Sequence, residues 1–362
     1  MMKTQGLIAI VLLLTSVGLA GQEIKPPMLT PVPQTDKHRD RLRDAVRMHD
    51  QGNYDGAIAG YLEILKENPD DISALYELGF SYFVKGEYQK SLEIANKGSL
   101  YKSDLLAGFY TLMGNDLDHL GEGDKAMKVY REGIKQFPSN VQLHYNLAVA
   151  LISAKKDDEA KKSFKNALSV GPDHPSSHLG LSQLYQNDNN KIPAMMAACR
   201  FLVLEPKTPR SAAMLKMLDK IMQAGVQAGS DPGKITVFMD TGGKTDEGDF
   251  SAVTAVLSVI GVGRHLEISK KGKSEIRLFI DNLSTMLTIM AERLSKQKGS
   301  GFAWDYYRPY FCEMANRKFV EPFCYYISQS AQSEEVDRWL TVNFERVREF
   351  LAWSKSYQWA QR

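Results

Sequence analysis

The spacing of apolar residues divides the chain into stretches of different kind. Leu7 to Leu14 is an unbroken apolar run behind Lys3, and it continues weakly to Ala20. Gly18 and Ala20 place small residues at the −3 and −1 positions of a cut before Gly21. This is the layout of a secretory signal peptide over residues 1–20. The uncharged stretch from Gly6 to Ala20 is shorter than the roughly 20 residues a membrane span needs, which favours cleavage over an anchor helix. Residues 21–37 carry Pro26, Pro27, Pro31 and Pro33 and read as an extended tether. From residue 38 onward apolar residues recur at steps of three and four, which predicts helix after helix.

Those helices follow a period. Pro138, Pro172 and Pro206 are each 34 residues apart, and Pro69 is in step after one extra residue. Taking this proline as position thirty-two gives repeats 38–71, 72–105, 107–140, 141–174 and 175–208. Position twenty is then Ala57, Ser91, Ala126, Ala160 and Ala194, and position eleven is Met48, Tyr82, Leu117, Leu151 and Tyr185. Small residues recur where two helices must touch, and large apolar ones where space must be filled. The pattern resembles the tetratricopeptide repeat across five units. The resemblance implies helix–turn–helix pairs stacked into a curved α-solenoid with a continuous core. Asp44 departs from the apolar pattern in the first repeat, and Ser103 replaces the second repeat's proline. One more amphipathic helix over 209–227 is expected to cap the stack.

The resemblance also implies a concave groove lined by positions two, five, nine and twelve of each first helix. Here these offer Tyr76, Phe80 and Phe83 in repeat two, Thr111, Asn115 and Asp118 in repeat three, Tyr145, Val149 and Ile152 in repeat four, and Gln183 and Gln186 in repeat five. Asn115 and Asn146 occupy the two asparagine positions of the subgroup that grips a C-terminal carboxylate. Thr111, Ser176 and Gly180 stand where that grip needs charge, so the strong charge-assisted bonds are missing. An extended peptide or a partner helix suits the groove. Packing between repeats is the alternative role for its rings.

Residues 228–362 abandon the period and read as a separate helical domain. Lys234–Asp240 reads as one short strand. Apolar spacing predicts helices over 250–260, 274–295, 304–316, 320–331 and 333–359. Residues 302–326 are dense in rings, among them Trp304, Tyr307, Tyr310 and Phe311. They read as a helical core or as an aromatic recess for a ligand. The segment from Phe311 to Trp339 is loosely similar to the C-terminal part of uncharacterised exported repeat proteins of Gram-negative bacteria, and no activity follows from that. Cys312 and Cys324 could meet as a disulfide if the chain turns near Arg317–Phe319.

Composition narrows the function. Lys and Arg total 45 against 43 Asp and Glu, a net charge of +2, which argues against nucleic-acid binding by bulk charge. Three cysteines are too few for a four-thiolate zinc site. Asp240-Thr-Gly242 resembles an aspartic-protease signature but occurs once, where two carboxylates are needed. Gly243-Lys-Thr245 lacks the glycine of a phosphate loop, with Phe238 in its place. The expectation is an all-α exported protein, periplasmic or secreted, with no cofactor or metal. It would be a non-catalytic scaffold for a protein or peptide in the cell envelope, with no stable transmembrane span after cleavage. The alternatives are tethering to the inner membrane by an uncleaved N-terminal helix, and an envelope enzyme or small-molecule-binding protein with its site in the C-terminal domain.

Overall fold

The computed structural model describes residues 24–223, 226–228, 235–237, 244–268 and 273–360, with side chains over 24–223, 245–260 and 273–360. The expected signal peptide over residues 1–20 and the Asp240 motif lie outside the described residues.

The five repeats are five antiparallel helix pairs. They are α1 (Asp36–Asp50) with α2 (Tyr54–Glu67), α3 (Ile72–Val84) with α4 (Tyr88–Gly98), α5 (Leu106–His119) with α6 (Gly123–Gln136), α7 (Val141–Ser153) with α8 (Asp157–Val170), and α9 (Pro175–Asn187) with α10 (Lys191–Leu204). Thr35, Asn53, Asp71 and Asn140 cap their helices by accepting a backbone N–H three residues on. Position fifteen makes the turn in every pair. Gly52, Gly86 and Gly121 have φ near +79°, and Lys155 and Asn189 adopt φ of 58° at the same place. A left-handed residue is what reverses the chain within so short a turn, and glycine takes it at least cost. The first helices α1, α3, α5 and α7 pack side by side, while the second helices of neighbouring repeats diverge. The stack therefore curves with its first helices on the inside.

The proline-rich segment is extended, but it is not a free tether. Met28 and Leu29 both donate to Leu100 O at 2.9 Å, and Lys102 N–H returns a bond to Leu29 O. Gln34 Nε2 donates to Asp71 Oδ1 at 2.8 Å. Prolines leave few backbone donors, and the remaining ones find the loop after α4, where repeat two lacks its proline. Residues 24–35 are a strap laid along the inter-repeat loops.

Helix α11 (Pro209–Met222) follows the last pair. Beyond it, Val226–Ala228 pairs antiparallel with Ile235–Val237, and Lys244–Thr245 with Gly248–Asp249. Then come α12 (Ser251–Ile268), α13 (Glu275–Ser295), a π-turn (Ala303–Tyr307) leading into α14 (Arg308–Asn316), α15 (Val320–Ile327) with a 3₁₀ turn (Ser328–Ala331), α16 (Glu334–Val342) and α17 (Phe344–Ser356). The helix expected over 333–359 is split. The Asn343 side chain and backbone both donate to Trp339 O, which closes α16, and the chain leaves helix again at Tyr357. The π-turn sits before Pro309, where Arg308 N–H reaches back to Ala303 O and proline has no N–H to continue the usual ladder.

The expected boundary at 227/228 falls inside a strand, and a single core runs from Leu75 to Phe350. Every residue of α10 from Ile192 to Val203 is buried. The π-turn, α12 and α15 cover the side of α10 that faces away from α9, and α12, α13 and the 3₁₀ turn cover α11. The C-terminal unit is thus built onto the end of the solenoid instead of hanging from it, and α11 is an internal layer and not an outer cap.

Candidate functional site

The groove face of the first helices stays open. Phe80, at position nine of repeat two, is 38% exposed and stacks on His49 at 5.2 Å. Val149 and Ile152 are exposed in repeat four, as is Gln183 in repeat five, and Gln186 is half-buried. Other groove rings lean on neighbours. Tyr76 sets its edge against Phe109 and lies over Gly108, where a Cβ would come within 2.7 Å. Phe83 packs against Tyr88 and His119, and Tyr145 against Phe164 and His174. Packing between neighbours thus holds several of these rings, and Phe80 is the one most open to solvent among the three of repeat two.

Asn115 and Asn146 are joined. Asn115 Oδ1 accepts from Asn146 Nδ2 at 2.8 Å and from Tyr130 hydroxyl at 2.7 Å, and Asn146 Oδ1 accepts from Gln142 Nε2. The pair forms a polar seam between repeats three and four. Negative charge is present in the groove as well. Glu77 on α3 is half-buried, and burial together with the nearby Asp50 charge raises its carboxyl above the ordinary range.

The aromatic recess expected at Trp304, Tyr307, Tyr310 and Phe311 is filled. All four side chains are at most 1% exposed. Each ring already has its partners. Tyr307 hydroxyl donates to His178 Nδ1 at 2.7 Å while His178 Nε2 donates to Pro172 O at 2.9 Å. That fixes a neutral imidazole, and burial beside Arg200 lowers the His178 pKa to about 3. Tyr310 bonds Ser354 and stacks with Trp353 and Trp359. These rings join the solenoid to the C-terminal unit.

Two charged residues lock that joint, and residue patterns do not single them out. Glu247, 5% exposed, accepts from Lys165, from Tyr185 hydroxyl at 2.8 Å and from Ala303 N–H at 3.2 Å. Its own carbonyl accepts from Trp304 N–H. Gly301, at φ +136°, allows this approach, because a Cβ there would sit 2.4 Å from Asp246 O. Arg200 donates to Asp173 at 2.5 Å and to Ser354 at 2.9 Å, beneath the rings of Tyr310 and Trp359. A glutamate in a loop and an arginine in a helix look like surface residues until the partner unit is in place. The cysteines are free, with Cys324 buried and close enough to Cys199 of α10 for that thiol to raise it further. The disulfide between Cys312 and Cys324 is not formed; Cys312 Sγ instead points to Ala291 O at 3.7 Å.

A stack of antiparallel helix pairs, each reversed by a left-handed residue at the same register, is a helical-repeat solenoid. Its units are tetratricopeptide repeats: models of that family match residues 47–86 and 119–184. Solved structures of the same fold are similar to the repeat half. A thermophilic tetratricopeptide protein of Thermus thermophilus is 23% identical, with 51% of this chain and 98% of that one covered and a TM-score of 0.42. Pseudomonas aeruginosa pilF is 20% identical, with 52% and 86% covered and a TM-score of 0.47. YrrB, described as having an unusual peptide-binding site, is 16% identical, with 51% and 94% covered and a TM-score of 0.39. The family supports a role as a protein-interaction scaffold. None of the helices among the described residues is long and apolar enough to cross a membrane.

Proposed function

We propose that the protein is a non-catalytic scaffold that holds an extended peptide or a partner helix in its concave groove. The observation that carries this is the contrast between the two faces of the solenoid. The chain's own C-terminal unit covers α10 and α11, while the groove face keeps Phe80, Val149 and Ile152 in solvent. Apolar side chains at regular positions along one open face are what a bound segment buries. The leader-like run at Leu7–Leu14 supports a setting in the cell envelope, in the periplasm or outside the cell. A partner there would be a protein or peptide, and the groove needs no cofactor to bind it.

Crosslinking in the intact envelope tests the reading. The expected result is a protein enriched with the native chain and lost when Tyr76→Ala and Phe80→Ala are combined. Equal recovery with the double variant would sink it.

A second reading is a ligand site in the C-terminal unit. A cleft of about 610 Å³ there is lined by Arg277, Tyr325, Glu334, Glu335, Arg338 and Trp339. It predicts thermal stabilisation of the full chain by a small molecule, lost in Trp339→Ala.

A further inference from the structure

We propose that the cleft between α13, α15 and α16 binds the zwitterion of an amino acid with an aromatic side chain. This rests on the second reading above, a ligand site in the C-terminal unit, and adds the chemistry of the ligand.

The cleft, about 610 Å³, is within the size range of small-molecule sites. Its flanks are fixed. Ser274 caps α13 by accepting Arg277 N–H, and its hydroxyl donates to Glu335 Oε2 at 2.5 Å, so the start of α13 is tied to the first turn of α16. Tyr325, 1% exposed, lies flat against Trp339, with ring centroids 4.0 Å apart and planes 3° from parallel. Arg277 donates to the Tyr325 hydroxyl and pairs with Asp281 at 3.0 Å, which holds Tyr325 in place. Trp339 is thus backed on one face, half-buried, and lines the cleft. Val342, one turn further along α16, is 78% exposed and lines it too. An indole held still beside an exposed valine is an apolar shelf. It suits a ring, which gains by stacking as well as by leaving water.

Two charges on the same wall are unpaired. Glu334 and Arg338 line the cleft one helical turn apart. Glutamate four residues before arginine is the favourable order for a helical ion pair. They do not form one, and neither side chain has another ion pair or hydrogen bond among the described residues. Close by, Arg346 pairs with Glu321 at 2.9 Å and Arg348 with Glu345 at 2.5 Å. An exposed pair within a helix is worth under about 1 kcal/mol, so leaving this one open costs little. A ligand that meets both charges breaks no internal pair to do so.

An α-amino acid presents what this wall lacks. Its ammonium brings three donors for the Glu334 carboxylate, and its carboxylate can take a two-pronged bond from the Arg338 guanidinium. Residues four apart on a helix have Cβ atoms roughly 5–6 Å apart, so two long side chains there can converge on groups attached to a single carbon. A ligand with only a negative charge would set it against Glu334 and Glu335, and one with only a positive charge against Arg277 and Arg338. Trp339 follows Arg338 on the helix, so a ring on the ligand meets the shelf.

Calorimetric titration of the full chain tests this with L-phenylalanine, N-acetyl-L-phenylalanine, L-phenylalanine amide and glycine. L-Phenylalanine is expected to bind tightest. Each blocked form should be about fivefold weaker, since it loses one exposed charge-assisted contact, and glycine, which has no ring, weaker still. Glu334→Gln should bring L-phenylalanine down to the level of the acetyl form and leave the acetyl form unchanged. Arg338→Gln should bring it down to the level of the amide and leave the amide unchanged. Both side chains are exposed, and an unchanged melting temperature without ligand shows that the fold is kept. Equal binding of free and blocked forms, or a preference for the free form that survives both variants, overturns the zwitterion site. The cleft then still stands as a ligand site if Trp339→Ala weakens every phenylalanine form. If none of the compounds binds the native chain, the zwitterion site is overturned, and the cleft reading stands or falls on its own test, thermal stabilisation lost in Trp339→Ala.

Discussion

Two aromatic regions of this molecule look alike in sequence and do opposite things. Residues 76–88 and 302–311 each crowd rings onto consecutive helical turns. In the first, Phe80 stays 38% exposed and packs on one face against His49. In the second, Trp304 is 1% exposed and lies against Phe250, with Arg308 over its ring. What separates them is the element standing opposite. The π-turn faces α10 and the end of the chain, whereas the groove face of α3 keeps Phe80 in solvent. Ring density marks where aromatic surface is available, and topology decides whether it becomes core or contact.

The largest expected effect falls on the buried region. Trp304→Ala removes a side chain enclosed by Phe250, Gly248, Gly299 and Arg308. A cavity of that size costs about 3–5 kcal/mol. Chemical unfolding should show this loss together with a disturbed C-terminal unit. A loss below about 1 kcal/mol would mean that the joint is loosely packed and that the contrast between the regions is wrong.

Glu247→Leu comes next. It leaves Tyr185 hydroxyl, Lys165 and Ala303 N–H without their acceptor inside the joint. Stranding buried donors in this way costs on the order of 2–4 kcal/mol. The same unfolding measurement checks it. Lys165→Met should cost a comparable amount, because it leaves the buried Glu247 carboxylate without its cation.

The pH dependence sharpens the comparison from the other side, since the joint and the middle of the repeat stack hold buried titrating groups of opposite sense. His178 in the joint has a folded pKa of about 3 against an ordinary 6.5. Between those values the unfolded chain binds more protons, so stability falls as pH drops through this window. Asp116 on α5 is fully buried, and burial raises it to about 7 from 3.8 although the Ser91 hydroxyl beside it favours the charged form. Here the folded chain binds more protons, so stability falls as pH rises from about 4 through 7. Asp116→Asn should therefore stabilise the repeats at about pH 8 and do nothing at about pH 4. The gain is limited to about 1.4 kcal/mol for every tenfold fall in proton concentration across that window. A melting curve unchanged at both values would show that Asp116 is solvated.

Much of this is legible in the sequence, and the missing part has one cause. The five repeats can be read because position twenty must be small and position eleven must fill space in each unit, so five copies of one constraint add up. The left-handed residue at position fifteen follows the same logic, even where Lys155 replaces glycine. The non-periodic third shows its helices in its spacing but not its placement. Glu247 and Arg200 acquire their roles from residues as far as 82 and 154 positions away, Lys165 and Ser354. Single-sequence spacing carries no information at that range. The strap at 24–35 is extended for the reason its prolines imply, while nothing local to it signals that Leu100 accepts its N–H groups.

The smallest effect on stability should come from the residue with the largest effect on binding. Phe80→Ala removes a ring that is 38% exposed, so only part of a phenylalanine's area is lost, and the cost should stay within about 2 kcal/mol. His49 loses its stacking partner but keeps its bond to Ser81 Oγ at 2.7 Å and its edge contact with Tyr54, so the first repeat holds its shape. Binding is a different matter, because a partner segment buries the exposed face of that ring. A central aromatic contact commonly carries about 2 kcal/mol or more of an interface, roughly a thirtyfold loss of affinity. Thermal unfolding and peptide anisotropy on the same sample separate the two quantities. A variant that melts with the native protein yet no longer holds the peptide confirms the open region as a contact surface. A variant that loses several kcal/mol of stability would instead make Phe80 a core residue like Trp304, and the two regions would no longer differ.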